Sequence, residues 1–180
     1  MTPREILENN GDFSTAPLYA AARRLQKRLE EEGVTYAVVG GLAVVRNGAV
    51  RTTVDIDILV AEEEWTRLGE NGLPDFRIEG DQAVDEATGI TVDVPFPGDE
   101  WEMDIPVPGP AGVREWDEEL GGWYIDLLHL LELKTAVYLK KRREDGEEIA
   151  AKDLADVVAL TRNNLDRIAA KDIEEMHPKI

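Results

Sequence analysis

Two aspartates separated by one residue, Asp55 and Asp57, are the side chains of this sequence best placed to do chemistry. They alternate with Val54, Ile56 and Ile58, a pattern typical of a β-strand with acids on one face and aliphatic side chains on the other. Inward-facing carboxylates cost desolvation and mutual repulsion unless a cation compensates them. The spacing therefore predicts a divalent metal site. Taken alone, Asp-x-Asp would favour the alternative, a solvated face of an edge strand.

Oxygen atoms are the metal ligands that this chain can offer. Its 180 residues include no cysteine and two histidines, His129 and His177, which excludes a disulfide framework and a thiolate zinc site. Carboxylate oxygens suit Mg²⁺ or Mn²⁺, the expected cofactors. We expect His129 to lie at the surface or the edge of the core. The absence of a long apolar run and of an apolar leader favours a cytoplasmic protein without membrane contact.

The segment before the two acids has features of a phosphate-binding site. A short buried strand from Tyr36 to Val39 is predicted to end at Gly40-Gly41, and a short helix from Leu42 to Arg46 follows. Glycines at such a junction let backbone N–H groups approach a triphosphate closely at a helix N-terminus. A Gly-Gly pair alone is more often only a tight turn, so the interpretation depends on the acids that follow.

The combined pattern of glycines and acids matches a known signature. It consists of Val39-Gly40-Gly41 and then Arg51-Thr52-Thr53-Val54-Asp55-Ile56-Asp57-Ile58. This pattern resembles the DNA polymerase beta-like nucleotidyltransferase superfamily and, more narrowly, its small AbiEii-like branch, which includes toxins of toxin–antitoxin systems. In that branch a third acid on a later strand, a lysine-bearing helix and a Lys/Arg-Asp-x-x-Asp stretch follow. Here the matching residues are Asp93, Lys134 and the run Lys152-Asp153-Leu154-Ala155-Asp156.

The resemblance implies a nucleotidyltransferase fold and a role for each matched residue. Asp55 and Asp57 would hold Mg²⁺ against a nucleoside triphosphate, and Asp93 would act as general base or third metal ligand. The backbone of the glycine pair would cradle phosphates, and the lysine would neutralise phosphate charge. The implied nucleotide-binding residues are Gly40, Gly41, Arg51, Thr53 and Lys134.

Several of these matches have alternatives. Asp104 is a rival of Asp93 for the third acid, although the residues around Asp93 are more typical of a strand. Arg51 could pair with Glu62 or Glu63 instead of with phosphate.

The C-terminal matches also have structural alternatives. Lys134 lies on a leucine-rich helix, so its alkyl chain could pack beside the core while its ammonium group reaches solvent. Asp153 and Asp156 could pair with basic neighbours rather than touch substrate; these neighbours are Arg142, Arg143 and Lys152. We expect tryptophans 65, 101, 116 and 123 to anchor core and loops, although Trp101 or Trp116 could stack on a nucleobase.

The remaining pattern predicts the elements that would position these residues. Strands are expected at 36–39, 54–60, 76–78, 89–94, near 103–105 and at 123–125, and helices from about 14, 61, 126, 149 and 164. The fold class is α+β, a small mixed sheet flanked by helices with a C-terminal helical subdomain. We expect a core with N-terminal helices at 1–125 and a helical segment at 126–180, packed as one compact domain.

The charge of the chain limits its partners. With 38 acidic and 20 basic residues the net charge is −18, and because the segment from Lys134 onward is neutral, the first 133 residues hold the whole surplus. Such a surface repels nucleic acid and attracts cationic molecules or basic proteins. The cluster Lys140-Lys141-Arg142-Arg143 is the positive patch that an RNA acceptor would need.

The expected function is transfer of a nucleoside monophosphate from a nucleoside triphosphate to an acceptor hydroxyl, with release of pyrophosphate. As a toxin, the chain would act on RNA or protein and would have an antitoxin partner. One alternative is adenylylation of a small cationic molecule such as an aminoglycoside. A different alternative is a non-catalytic binding module of the same fold.

Overall fold

The computed structural model of this chain describes residues 15–98, 105–174 and 176. Within these ranges seven strands form one sheet, accompanied by six α-helices and a 3₁₀ turn at Pro110–Gly112. The strands are β1 (Tyr36–Val38), β2 (Ile56–Val60), β3 (Phe76–Glu79), β4 (Gln82–Asp85), β5 (Thr91–Asp93), β6 (Arg114–Asp117) and β7 (Gly122–Ile125). The helices are α1 (Thr15–Glu31), α2 (Gly40–Arg46), α3 (Glu62–Asn71), α4 (Leu127–Glu144), α5 (Glu147–Asn163) and α6 (Ala170–Glu174).

The sheet has the order β3-β4-β5-β2-β1-β7-β6 and is mixed. The pairs β2–β5 and β1–β7 are parallel, and the other four pairs are antiparallel. Its central strands are runs of buried aliphatic residues, including Val38, Ile58 and Leu59, as expected for strands covered on both faces. The prediction of an α+β chain with a small mixed sheet flanked by helices is confirmed.

The register of the central strands brings distant segments to one edge of the sheet. Val38 pairs with Ile58 in antiparallel β1 and β2, so the end of β1 lies beside the start of β2. Asp57 and Asp93 are partners in parallel β2 and β5. Because β7 runs parallel to β1, its C-terminal end reaches this edge too. The loop before β2 and the starts of α2 and α4 therefore lie at the same edge.

The helices cover the sheet and continue into a hairpin. Helix α1 buries Leu18, Leu25 and Leu29, the helical spacing of an amphipathic face. Helices α4 and α5 pack against each other, and the end of α5 reaches α2 through Asn164 Nδ2, which donates to the carbonyl of Asn47 at 2.9 Å. The division of the chain at residue 125 stays a prediction. None of the helices in the described ranges has the length and apolar composition needed to cross a bilayer.

A side chain caps the start of α4. The side chain of Asp126 accepts a hydrogen bond from the backbone N–H of His129 at 3.0 Å. The ring Nδ1 of His129 lies 2.7 Å from Oδ2 of Asp126, and this hydrogen bond raises the pKa of the imidazole. The side chain of His129 is 43% exposed, so the prediction of a surface or core-edge position is confirmed.

Several predicted elements were wrong or incomplete. Strands β4 and β6 were missed because their polar side chains leave no clear apolar alternation. The helix predicted from residue 164 is confined to α6, because the Asn164 side chain bonds back to the carbonyl of Leu160 and ends α5. Val54 is 73% exposed rather than buried with Ile56, because β2 begins only at Ile56. Asp104, Trp101, His177 and most of the strand predicted near 103–105 lie outside the described residues.

Candidate functional site

Three predicted carboxylates lie together where β1 ends and β2 begins. Asp57 and Asp93 occupy partner positions in β2 and β5, so their side chains leave the sheet on the same face. Asp55 precedes Asp57 by two residues, and the charges of both Asp55 and Asp93 act on the Asp57 carboxyl. The fold thus gathers one acid from the residue before β2, a second from β2 and a third from the neighbouring strand β5.

Asp57 is the most strongly perturbed carboxyl of this group. Burial, and after it repulsion from Asp55, raises its pKa to about 6, with a smaller contribution from Asp93. The charge of Lys134 and a hydrogen bond donated by the backbone N–H of Gly41 act in the opposite direction. A cation among these carboxylates would relieve both the desolvation and the repulsion.

The chemistry of this donor set fits a hard divalent cation, although its side chains do not form a closed ligand shell. In the part of the chain that the structure describes, no three acidic, histidine or cysteine side chains are arranged to hold an ion among them. Asp93 Oδ1 accepts a hydrogen bond from Gln82 Nε2 at 2.7 Å. Gln82 thus holds one oxygen of the Asp93 carboxylate. Gln82 is a contributor that the sequence analysis missed, because its strand was not predicted.

The predicted glycine pair is required by close packing against the acids. Gly40 has a φ of +57°, and a Cβ added there would overlap the Asp57 carboxylate. A Cβ at Gly41 would overlap the hydroxyl of Thr53. Both glycines therefore let α2 begin directly against the acid-bearing strand. This packing accounts for the pair without any phosphate.

Thr53 holds one of the acids in place. Its side chain is buried, with 6% of the residue exposed, and its Oγ1 donates a hydrogen bond to Asp55 Oδ1 at 2.9 Å. The hydroxyl therefore fixes one oxygen of Asp55 and leaves the other to point away from the threonine.

We expect Thr53→Val to weaken metal-dependent nucleotide binding by about tenfold, because a hydrogen bond to a charged group contributes about 1.5 kcal/mol or more. The shape of the side chain is kept, so the melting temperature should change little. Thr53→Ser, which retains the hydroxyl, is the matched control, and titration calorimetry on both variants is the measurement. Equal affinities for the two variants would show that the hydroxyl does not orient Asp55.

Lys134 and Arg51 converge on one buried acid of α5. Lys134 Nζ lies 3.1 Å from Asp156 Oδ2 and 3.8 Å from Asp153 Oδ1. Arg51 Nη1 is paired with the same Oδ2 of Asp156. Lys141 Nζ, at 2.8 Å, is a further partner of Asp153. A buried ionic cluster thus joins the loop before β2 to the α4–α5 hairpin.

These pairs correct the alternatives considered from the sequence. Glu62 and Glu63 begin α3 beyond the far end of β2, and the ion pair of Arg51 is with Asp156. Asp153 and Asp156 pair with Lys134, Lys141 and Arg51 rather than with Arg142, Arg143 or Lys152. The sequence already indicated that Asp153 and Asp156 point toward the core. Asp153 and Asp156 share a helical face with buried Ala150 and Leu160, so both acids were placed to point inward.

The described tryptophans act as anchors. Trp65 is buried and donates from Nε1 to the carbonyl of Gly80 at 2.8 Å. Trp116 and Trp123 pack edge to face with centroids 5.4 Å apart. Trp116 lies on edge strand β6, three strands from β2, which separates it from the three acids.

The pKa of Asp57 makes the stability of the metal-free protein depend on pH. Its folded-state value of about 6 exceeds the ordinary 3.8, so the folded protein binds this proton more tightly than the unfolded chain. The resulting stabilisation is complete below the ordinary pKa and is lost as pH rises through about 6. We expect wild type to lose about 1 kcal/mol relative to Asp57→Asn between pH 5 and pH 8. Urea unfolding of both proteins in a chelator measures it, and a constant difference across that range would refute it.

Comparison with known proteins gives a match at the level of the fold. No family model matches the chain, and no curated protein shows significant similarity to it. The solution structure of the antibiotic-resistance factor ANT(2'')-Ia matches with a TM-score of 0.55 and 12% identity over 89% of both chains. The crystal structure of ANT(2")-Ia in complex with adenylyl-2"-tobramycin matches with a TM-score of 0.54 and 12% identity, over 89% of this chain and 94% of that one.

A third solved structure supports the same conclusion. An antigenic nucleotidyltransferase-like protein from Paracoccidioides brasiliensis matches with a TM-score of 0.55 and 16% identity, over 81% of this chain and 75% of that one. At such low identity the similarity shows the architecture, while the AbiEii-like branch stays a prediction. The chain has a nucleotidyltransferase fold.

Proposed function

We propose that this chain is a metal-dependent nucleotidyltransferase that moves a nucleoside monophosphate from a nucleoside triphosphate to an acceptor hydroxyl. The observation that carries the proposal is the register of Asp57 with Asp93, beside Asp55 and against the backbone of Gly40. Repelling carboxylates on one face of a sheet are costly without a cation. In a nucleotidyltransferase fold, such a cation would bind the triphosphate of the nucleotide.

Each side chain has a definite task in this proposal. Asp55 and Asp57 would hold the metal, and Asp93 would accept the proton of the acceptor hydroxyl as its oxygen attacks the α-phosphorus. The bond from the α-phosphorus to its bridging oxygen breaks, and pyrophosphate leaves. Magnesium, when bound, supplies neutralisation of the triphosphate charge. Lys134 and Arg51 would offset phosphate charge, and the backbone at Gly40 and Gly41 would contact the phosphates.

A small cationic molecule is the acceptor that the charge distribution favours. The surplus of acids, 38 against 20 basic residues, attracts cations and repels nucleic acid. The described partners of the basic cluster further lower its positive charge, because Lys141 pairs with Asp153, Arg142 with Glu147 and Arg143 with Glu144. ANT(2'')-Ia, in the complex described above, holds an adenylylated aminoglycoside. Action on RNA or protein as the toxin of a toxin–antitoxin pair is the second candidate, and it depends on the sequence pattern alone.

Transfer of label from α-labelled nucleoside triphosphates tests the proposal. Each of the four nucleotides is incubated with Mg²⁺ or Mn²⁺ and one acceptor class, namely aminoglycosides, tRNA or a protein mixture. We expect label on the aminoglycoside together with pyrophosphate release. Label on tRNA or protein would support the toxin instead. Nucleotide binding without transfer to any acceptor would identify a non-catalytic module and overturn the enzymatic proposal.

A further inference from the structure

One carboxylate oxygen outside the three-acid site, Oδ2 of Asp156, contacts two cationic side chains. Asp156 is only 4% exposed, and its Oδ2 contacts both Arg51 Nη1 and Lys134 Nζ. Arg51 belongs to the loop before β2, whereas Lys134 belongs to α4, so the two cations come from segments far apart in the chain. The shared anion offsets the repulsion between the two cations.

Lys134 acts on the three-acid site directly, and Arg51 belongs to the loop that leads to Asp55. The charge of Lys134 lowers the pKa of Asp57, which places the ammonium within electrostatic reach of that carboxyl. Arg51 precedes Thr53 by two residues, and Thr53 donates directly to Asp55. Arg51 and Lys134 are 13% and 14% exposed at the side chain, so both are largely buried, and each is held by an ion pair with Asp156. Charges fixed in this way bind a triphosphate without first losing rotamer freedom.

The burial of Asp156 is costly for a helix hairpin. Replacing a buried ion pair by well-packed apolar side chains is often neutral or stabilising. Stabilisation of the fold alone therefore does not explain why these charges are buried. Asp153 provides the comparison within the same helix. It is 3% exposed, lies about one turn away, and pairs most closely with Lys141 at 2.8 Å. The described ion pairs of Asp153 do not include Arg51.

We infer that Asp156 is a positioning residue for triphosphate binding, and that it acts by holding Arg51 and Lys134 at the edge of the three-acid site. The inference rests on the proposed function. It assigns to α5, which contributes none of the three acids, control over nucleotide affinity. Asp153 stabilises the same hairpin without setting the positions of both cations.

The test compares Asp156→Asn with Asp153→Asn. Magnesium complexes of ATP, GTP, CTP and UTP are titrated into wild type, and the tightest-binding nucleotide is used for the variants. We expect Asp156→Asn to weaken binding by about tenfold and Asp153→Asn by about twofold at most, with similar losses in melting temperature for both. A purely structural role would instead weaken nucleotide binding in proportion to the loss of thermal stability.

A double-variant cycle supplies the second readout. If Asp156 acts through Lys134, adding Asp156→Asn to Lys134→Met should weaken binding by clearly less than tenfold. Equal affinities of the two asparagine variants, or full additivity with Lys134→Met, would overturn the inference while leaving the proposed function intact. If wild type binds none of the four nucleotides, the proposed function fails, and the inference fails with it.

Discussion

Replacing Asp57 with asparagine is expected to reduce nucleotidyl transfer by about a thousandfold or more, the loss seen when a group central to transition-state electrostatics is removed. The charges of Asp55 and Asp93 both act on the Asp57 carboxyl, and Asp57 pairs with Asp93 across the parallel strands β2 and β5. Asparagine keeps the shape but cannot supply the second anionic oxygen that a divalent cation requires. The measurement is the initial rate of label transfer from the α-labelled nucleotide.

A matched control removes a carboxylate that has no place in the site. Glu118 is exposed in the turn between β6 and β7, at the sheet edge opposite the end of β1. Glu118→Gln removes one negative charge, as Asp57→Asn does, and should retain transfer within about twofold, since exposed charges contribute little. If the two variants lost activity to the same extent, overall charge rather than the acid site would determine the rate.

Gly40→Ala is expected to have the second largest effect, because it combines backbone strain with a steric clash inside the site. A non-glycine residue at a φ of +57° costs about 1 to 2 kcal/mol, and the added Cβ would displace the Asp57 carboxylate. We expect nucleotide affinity to fall by more than about tenfold, with a total destabilisation of about 2 to 4 kcal/mol.

Gly33→Ala separates these two causes. Gly33 has a similar φ of +68°, and nothing lies within 4 Å of an added Cβ. This variant carries the backbone strain alone, so it should lose about 1 kcal/mol of stability and keep its nucleotide affinity. Urea unfolding and titration calorimetry measure both quantities. Unchanged nucleotide binding by a folded Gly40→Ala variant would contradict the close packing of α2 against the acids.

The local pattern was enough to predict the acids but not their neighbours. Alternation with Ile56 and Ile58 indicated the strand of Asp57, and aliphatic residues around Asp93 indicated another strand. Which strands pair, and in which register, depends on contacts between distant segments, so the partnership of Asp57 with Asp93 needed the structure. The short polar strand that carries Gln82 was missed for a related reason, since the sheet rather than its own residues defines it.

Asp153 and Asp156 of α5 show a different limit of prediction from sequence. Their position on the buried face could be inferred from the spacing with Ala150 and Leu160, yet their partners could not. Arg51 lies about a hundred residues before Asp156, and only the packing of the α4–α5 hairpin beside the loop before β2 brings them together. A sequence motif identified Asp153 and Asp156 together. In the structure the two aspartates differ in the cations with which they form ion pairs.

Calorimetric titration of magnesium nucleotides into wild type and an Asp55→Asn/Asp57→Asn variant tests the central claim most directly. We predict that wild type binds at least one nucleoside triphosphate only when Mg²⁺ or Mn²⁺ is present, and that the well-folded variant shows no such binding. Metal-independent binding, equal binding by the variant, or no binding by folded wild type to any of the four nucleotides would contradict the assignment of these acids to a metal–triphosphate site.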